Sequence, residues 1–453
     1  MSQNQLKIKW IDSTKSDIRK EMAALRRRLS PKGNIVSASG KQRTIEIFGA
    51  PLSPQEIVEK VCSEVAENGI SALLDYSRRI DRAELSADQI RVPAEEFEKA
   101  HKTVESAFLD SVRNIRNNIA EFQTAILHHD VHLDRPGGWL KERYRPLRRV
   151  GICVPGGAAA YPSSLLMTAI PAQVAGVKEI AVMAPPTPNG SYNPYLLAAC
   201  RELGITEVYR MGGAQGVAAF AYGVEGIARV DKIVGPGNLF VALAKRHVFG
   251  ETDIDSIAGP SEVVVIVDES TRTDYTAYDM LAQAEHAPGA SILIGWNENA
   301  LKKAVEAIER EIDRIDRGPL ARQSLEDYGA VILANDQEEA CRLTDAIAPE
   351  HLHIATKNAE ELADKISCAG AIFLGNYTPV ALGDYAAGPS HVLPTSGTAR
   401  FSSGLTCNDF LRANSILHFD QSGLKKLAPD VYQISSIEGL TAHRESVEMR
   451  TKD

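Results

Sequence analysis

The chain has no CxxC pair: its six cysteines, at 62, 153, 200, 341, 368 and 407, are scattered over 453 residues. That excludes a compact disulfide framework and a thiolate zinc knuckle. Any bound metal must use His, carboxylate or amide donors, and the thiols read as those of a reducing, cytoplasmic setting. Lys/Arg-rich runs are also missing; the nearest, Arg26-Arg-Arg28, belongs to a helix-like segment. With a formal net charge of −9, this disfavours nucleic acid or an anionic membrane as the main partner. The apolar stretches around 164–183 and 257–267 are broken by Pro, Gly or charge, so neither reads as a membrane span. MSQNQLKIKWIDSTKSD lacks the apolar core of a signal peptide. No GxGxxG followed by an acid, no GxSxG elbow and no HExxH is present, so three common catalytic fingerprints are unmatched.

What the chain does have is the composition of a globular protein, 44% hydrophobic and 24% charged, and a length that calls for two or more domains. Residues 1–50 are polar with helical spacing, and 55–123 repeat apolar residues at three and four. From 124 to 148 the chain turns polar and irregular, with Arg135-Pro-Gly-Gly138 as a breaker. Strand, glycine turn and helix then recur at about 25–30 residues, the pattern of βαβ units in a parallel sheet. The alternation resumes after 260 and runs to about 374. The fold class expected is α/β: two Rossmann-like, doubly wound parallel-sheet domains with an N-terminal helical segment and an extended C-terminal helical tail. The grouping expected is 1–48 as the helical segment, 49–130 with 261–405 as a first α/β domain carrying metal and catalytic residues, 131–260 as a second carrying cofactor turns, and 406–453 as the tail.

Three glycine-rich turns, 155–157, 212–213 and 235–237, each end a strand and open a helix. Any one of them is either a tight turn of an α/β sheet or a cradle of backbone N–H groups for a phosphate. Together at one sheet edge they point to a dinucleotide. Gln283 and His286 are three apart on a helical segment and share a face. With Asp384 and His443 they offer an amide, a carboxylate and two imidazoles, donors that suit a borderline divalent ion such as zinc. Glu350 and His351 stand side by side at a helix-to-strand junction, either as a proton-handling pair or as a surface ion pair and a strand start. Ser261, in Ala258-Gly-Pro-Ser-Glu262, is a hydroxyl for substrate or a turn maker. His391, in Gly388-Pro-Ser-His391, is either an exposed imidazole available to the site or, in its Pro/Gly loop, equally a turn partner.

The segments VGICVPGGAAAYPSSLLMTAIPAQVAGV, VYRMGGAQGVAAFAYG, VDKIVGPGN, IAGPSEVVVIVD, LAQAEH, APEHLHI, GDYAAGPSHVLPT and EGLTAH resemble histidinol dehydrogenase in order and spacing, from about residue 50 onward. The resemblance implies an enzyme with one Zn2+ per subunit that oxidises L-histidinol to L-histidine through the aldehyde with two NAD+. It implies a homodimer whose tail reaches the neighbouring subunit's site. The family's zinc ligands fall on Gln283, His286, Asp384 and His443, and its proton-transferring pair on Glu350 and His351. Substrate contacts fall on Ser261, Gln283, His286, His351, Asp384, Glu438 and His443, with Glu438 suited to the substrate ammonium. Cofactor contacts fall on Gln215, Asn238 and the position of Cys153.

The chain departs from the family pattern in places. Cys153 replaces a usual Tyr, Ser390 a usual Asn and Val380 a common Glu. The basic residue usual after Asp-Phe in the tail motif is displaced in Asn408-Asp-Phe-Leu-Arg-Ala-Asn414. These leave room for a related alcohol dehydrogenase acting on a sulfonated diol. A zinc hydrolase using Glu350 to activate water is the rival of another class.

Overall fold

The computed structural model describes residues 5–18, 20–21, 23–24, 38–157 and 159–452; Arg26-Arg-Arg28 lies outside them. Two wholly parallel sheets organise the chain. The larger runs Lys9–Asp12, Ala330–Leu333, Gly289–Gly295, Ser261–Val267, His351–Ile354, Ala371–Leu374 across six strands. The smaller runs Val208–Arg210, Glu179–Ala184, Arg149–Cys153, Lys232–Val234, Asp253–Ile254 across five. Their strands are near-continuous apolar runs because helices cover both faces, and Val263 to Val267 are fully enclosed. The expected doubly wound α/β class is what the chain adopts.

The grouping of segments differs from the one expected. The helices Pro54–Asp81, Ala94–Thr103 and Ser106–Ala125 pack on the five-stranded sheet, through residues such as Val61, Leu73, Phe97 and Ile119. They do not join the 261–405 unit. Conversely Leu6 and Ile8 enter the core of the six-stranded sheet, and Lys9–Asp12 forms its edge strand. A helical amphipathic pattern fixes which face is buried but not which of two apolar sheets buries it, so the sequence could not decide.

The stretch read as irregular is an ordered ribbon. Val131–Arg135 and Gly138–Pro146 form an antiparallel hairpin, and Leu411–Phe419 of the tail pairs with the second strand. Both faces of the ribbon meet solvent, so its strands lack the one-sided alternation that reveals a half-buried strand. Gly137, at φ +81°, makes the hairpin turn, and a side chain there would strike the backbone of Gly423. The tail continues into helices Gln421–Ile437 and Thr441–Lys452, which pack on each other. Among the described residues no helix is long and apolar enough to cross a membrane.

Candidate active site

In the five-stranded sheet, chain order proceeds outward from Arg149–Cys153 and then switches to Lys232–Val234 on its other side. The loops leaving these two neighbouring strands diverge there, and a cleft of about 710 Å³ opens between them at the carboxyl edge. Gly156, Gly157, Gly212, Gly237, Gln215 and Asn238 line it. Asn238 caps the helix Leu239–Val248, its Oδ1 accepting from the N–H groups of Phe240 and Val241. Gln215 is fully enclosed and donates Nε2–H to Asp81 Oδ2 at 2.9 Å, so Asp81 joins the cleft wall through it. Cys153 also lines the cleft, and burial pushes its thiol up to about 12, so it offers shape rather than a thiolate.

The second cluster sits on the six-stranded sheet, at the amino ends of its strands. This is the reverse of the edge at which open parallel sheets usually take ligands. Ser261 opens one strand and His351 opens its neighbour, and residue 351 is in register with Val263. Glu350 Oε2 accepts from the Ser261 hydroxyl at 2.6 Å and from the Glu262 N–H at 2.8 Å. His351 Nδ1 lies 3.2 Å from the Glu262 carbonyl and 3.5 Å from Glu350 Oε2. Its Nε2 lies 3.3 Å from Asp384 Oδ1, close enough for charge attraction but without hydrogen-bond alignment. Burial pushes the Glu350 carboxyl up. Burial alone would depress the His351 imidazole; Glu350 and Asp384 outweigh it and hold it at about 9.

Gln283 lies in the last turn of the helix Thr273–Ala284, which runs back to this same edge, and His286 follows in the turn beyond it rather than on the helix itself. Gln283 is buried with Nε2 unpartnered. A half-turn of the amide would present its oxygen instead, which is what a ligating role asks of an otherwise unsatisfied group. Asp384, on the short helix Val380–Tyr385, is held below the usual carboxylate range because His351, His391 and His286 outweigh its burial. Four of the residues singled out thus meet at one point, as hydroxyl, acid, imidazole and carboxylate, with Gln283 and His286 beside them. An amide, an imidazole and a carboxylate are suitable donors for a zinc-like ion, one short of a tetrahedral set.

Glu438 and His443 are not brought there. Both are exposed on the tail, and the recorded bonds of His443 stay within its own segment. Among the described residues of one chain, no three His, Cys, Asp or Glu side chains stand close enough to hold an ion. His391 does belong to the cluster: Nδ1 lies 2.8 Å from the Asp384 carbonyl, and burial lowers its imidazole. Its Pro/Gly loop fits turn chemistry equally well, so the sequence alone leaves its place open. Nothing in the sequence pattern marks Asp279 or His353, and Glu262 is marked only as a lone acid heading an apolar strand.

Two parallel sheets, one with a glycine-walled cleft and the other with a buried acid–imidazole cluster, are the plan of a two-domain α/β dehydrogenase. The histidinol dehydrogenase family model matches residues 52–451. A histidinol dehydrogenase of Rhodopirellula baltica is 57% identical over 442 residues, 97% of this chain and 96% of the relative. One of Syntrophotalea carbinolica is 44% identical over 420 residues, 90% of this chain and 97% of its own. The crystal structure of histidinol dehydrogenase from Elizabethkingia anophelis superposes with a TM-score of 0.89 at 30% identity, covering 100% of this chain and 99% of that one. The chain belongs to the histidinol dehydrogenase family. The hydrolase alternative falls away with that membership.

Proposed function

We propose that this chain oxidises L-histidinol to L-histidine through L-histidinaldehyde, in two NAD+-linked steps. The observation that carries the reading is the contact chain Ser261–Glu350–His351–Asp384, with Gln283, its amide unsatisfied, in the last turn of a helix that ends at the same sheet edge. When bound, zinc would orient the substrate's imidazole and amine, and NAD+ would take up two electrons in each step. Gln283, His286 and Asp384 are the donors this chain would supply in one subunit. His443, and Glu438 for the substrate ammonium, would come from the partner's tail in a homodimer. Apolar groups left exposed on the tail, including Leu417, Ile434, Ile437 and Met449, support such an exchange.

The residues' own work follows from their surroundings. Glu350, enclosed and hydrogen-bonded by Ser261 and the Glu262 peptide, is placed to take the carbinol proton and later that of the water hydrating the aldehyde. His351 beside it relays protons, oriented by the Glu262 carbonyl. Ser261 presents its hydroxyl where the substrate oxygen would lie. At the other sheet, the glycine turns and Asn238 would hold the dinucleotide, with Gln215 acting through Asp81. A cytoplasmic, non-membrane enzyme with no nucleic-acid partner is the matching cellular reading.

The test is NADH formation by the purified, zinc-loaded protein with L-histidinol and, separately, a sulfonated diol. Two NADH per histidinol are expected. Turnover of the diol with none of histidinol would overturn the substrate assignment.

A further inference from the structure

Glu262 is the second residue of the strand Ser261–Val267 and is only 1% exposed. Its peptide group touches both members of the proposed acid–base pair. The N–H donates to Glu350 Oε2 at 2.8 Å, and the carbonyl lies 3.2 Å from His351 Nδ1. Its side chain is turned toward the backbone N–H groups of Gly397, Ser396 and Glu350, which favour its charged form against burial. Glu350 thus bonds the Glu262 backbone through its carboxylate. Oε1 of Glu262 has no hydrogen-bond partner.

The backbone around this carboxyl is shaped for it. Ser396 and Gly397 both have positive φ, +57° and +76°, and Ser396 is not a glycine. A left-handed non-glycine residue costs about 1 kcal/mol, and successive N–H groups turned one way make a nest for a carboxyl oxygen. The turn thus carries strain that the Glu262 contact offsets. Burial, with Glu350 next to it, pushes the Glu262 carboxyl up to about 8. The charged or titratable groups facing Glu350 are His351 on its own strand, Asp384 on the helix Val380–Tyr385 and Glu262 on the adjacent strand. Facing Glu262 are Glu350 and, from the 396–397 turn, N–H groups only. A carboxyl kept solely to tie down this turn would need no second acid at its side, since an amide could accept the same N–H groups.

We propose that Glu262 is a positioning residue for the Glu350–His351 pair, holding both through its peptide group and sharing a single negative charge with Glu350 near neutral pH. This rests on the assignment of Glu350 as a base. Two carboxyls enclosed together cannot both ionise cheaply. Glu262 therefore raises the proton affinity of Glu350, which is what a base working near neutrality requires.

The experiment is the pH dependence of kcat and kcat/KM for L-histidinol in the full-length zinc-loaded enzyme, comparing wild type, E262Q, E262D and E350Q. E262Q keeps the size and the acceptor but removes the neighbouring charge. Its acid limb should move to lower pH with kcat reduced several-fold, while KM and zinc content hold; E262D should keep its limb near that of wild type. A folded E262Q with an unmoved acid limb overturns the proposal, as does turnover surviving in E350Q, which would remove the base assignment beneath it. A dead E350Q with an unmoved E262Q limb removes only the role of Glu262. Should E262Q fail to fold, infrared difference titration of wild-type enzyme reads the buried carboxyls directly. One carboxylate gained between pH 6 and 9 supports the sharing; no carboxyl titrating there overturns it.

Discussion

Nδ1 of His353 lies 2.9 Å from Oδ2 of Asp279, with both side chains buried. The other ring nitrogen, Nε2, lies 2.8 Å from the Gly375 carbonyl. The ring bonds the carbonyl through Nε2, while Nδ1, not aligned for a hydrogen bond, meets Asp279 by charge attraction, which favours the protonated imidazolium. Asp279 Oδ1 also accepts from the Val380 N–H at 3.3 Å. One ion pair therefore ties together the helix bearing Gln283, the strand opened by His351 and the helix bearing Asp384.

Burial works to lower the His353 imidazole, but Asp279 outweighs it and the net shift is upward. A raised folded value means stability that is complete below the unfolded value of about 6.5 and lost as pH rises through the folded one. Denaturant unfolding should give a free energy that declines across that window. His353→Gln should flatten the decline. Asp279→Asn, which strands a buried charge, should cost about 3–5 kcal/mol. An H353Q variant with the wild-type slope would rule out this pair as the source.

How much of this is legible in the sequence? Ser261, Glu350, His351 and Asp384 stood out because turn residues bracket them, and short segments with special backbone needs are where side chains of this type gather. His353 carries no such bracket, and Glu262, though it closes the same Gly-Pro-Ser turn, passes as the head of an apolar strand. Each reads as a polar residue in or beside a strand, and only the neighbouring strand and the 396–397 turn reveal its work. The two sheets were legible as runs of apolar strands, whereas the owner of each amphipathic helix was not. The exposed ribbon at 131–146 was hidden because neither face is buried. The tail was recognised as a tail, but its strand Leu411–Phe419 pairs with a partner more than 260 residues away, beyond any local pattern.

The turn at Gly235 rests on a buried ion pair. Lys245 contacts Asp255 and also donates to the Gly235 carbonyl at 3.1 Å, while Asp255 Oδ2 accepts the Gly235 N–H at 2.7 Å. Gly235, at φ +100°, has no room for a side chain against the Cys153 backbone. Asp255→Asn leaves the lysine buried without its counter-charge. A loss of about 3–5 kcal/mol and a raised KM for NAD+ are expected, with KM for histidinol little changed. Steady-state kinetics at fixed histidinol check this; an unchanged NAD+ KM in a folded variant would separate the turn from the cofactor.

On the acid side, Glu202 is clamped by Arg113, at 2.8 Å, and by His101, at 2.6 Å. Arg113 is the largest cause; together with His101 it outweighs burial and holds the carboxyl down at about 2. A depressed folded value gives stability present above the unfolded value of about 4.3 and lost as pH falls toward the folded one. Glu202→Gln should lower thermal stability at pH 7 by about 1–3 kcal/mol and make the acid limb of unfolding shallower. Thermal unfolding from pH 2 to 7 reads both, and an unaltered acid limb would show that other carboxyls carry it.

The proposed sharing of sites between subunits makes a prediction that neither subunit alone can meet. His286 stands at the core cluster and His443 on the exposed tail helix, and no single described chain unites three such donors. His286→Asn and His443→Asn should each lose zinc and activity as pure dimers, and H443N should keep the stability of the metal-free subunit because its side chain packs on nothing buried. Unfolding the two variants together and reassembling them creates mixed dimers. In each, one site combines both defects, while the other joins an intact core to an intact tail. Random pairing makes half of the dimers mixed, each with one working site, so recovery should approach about a quarter of wild-type activity. Zinc content should recover in parallel. If His443 served its own subunit, every site would keep one broken ligand and mixing would restore nothing.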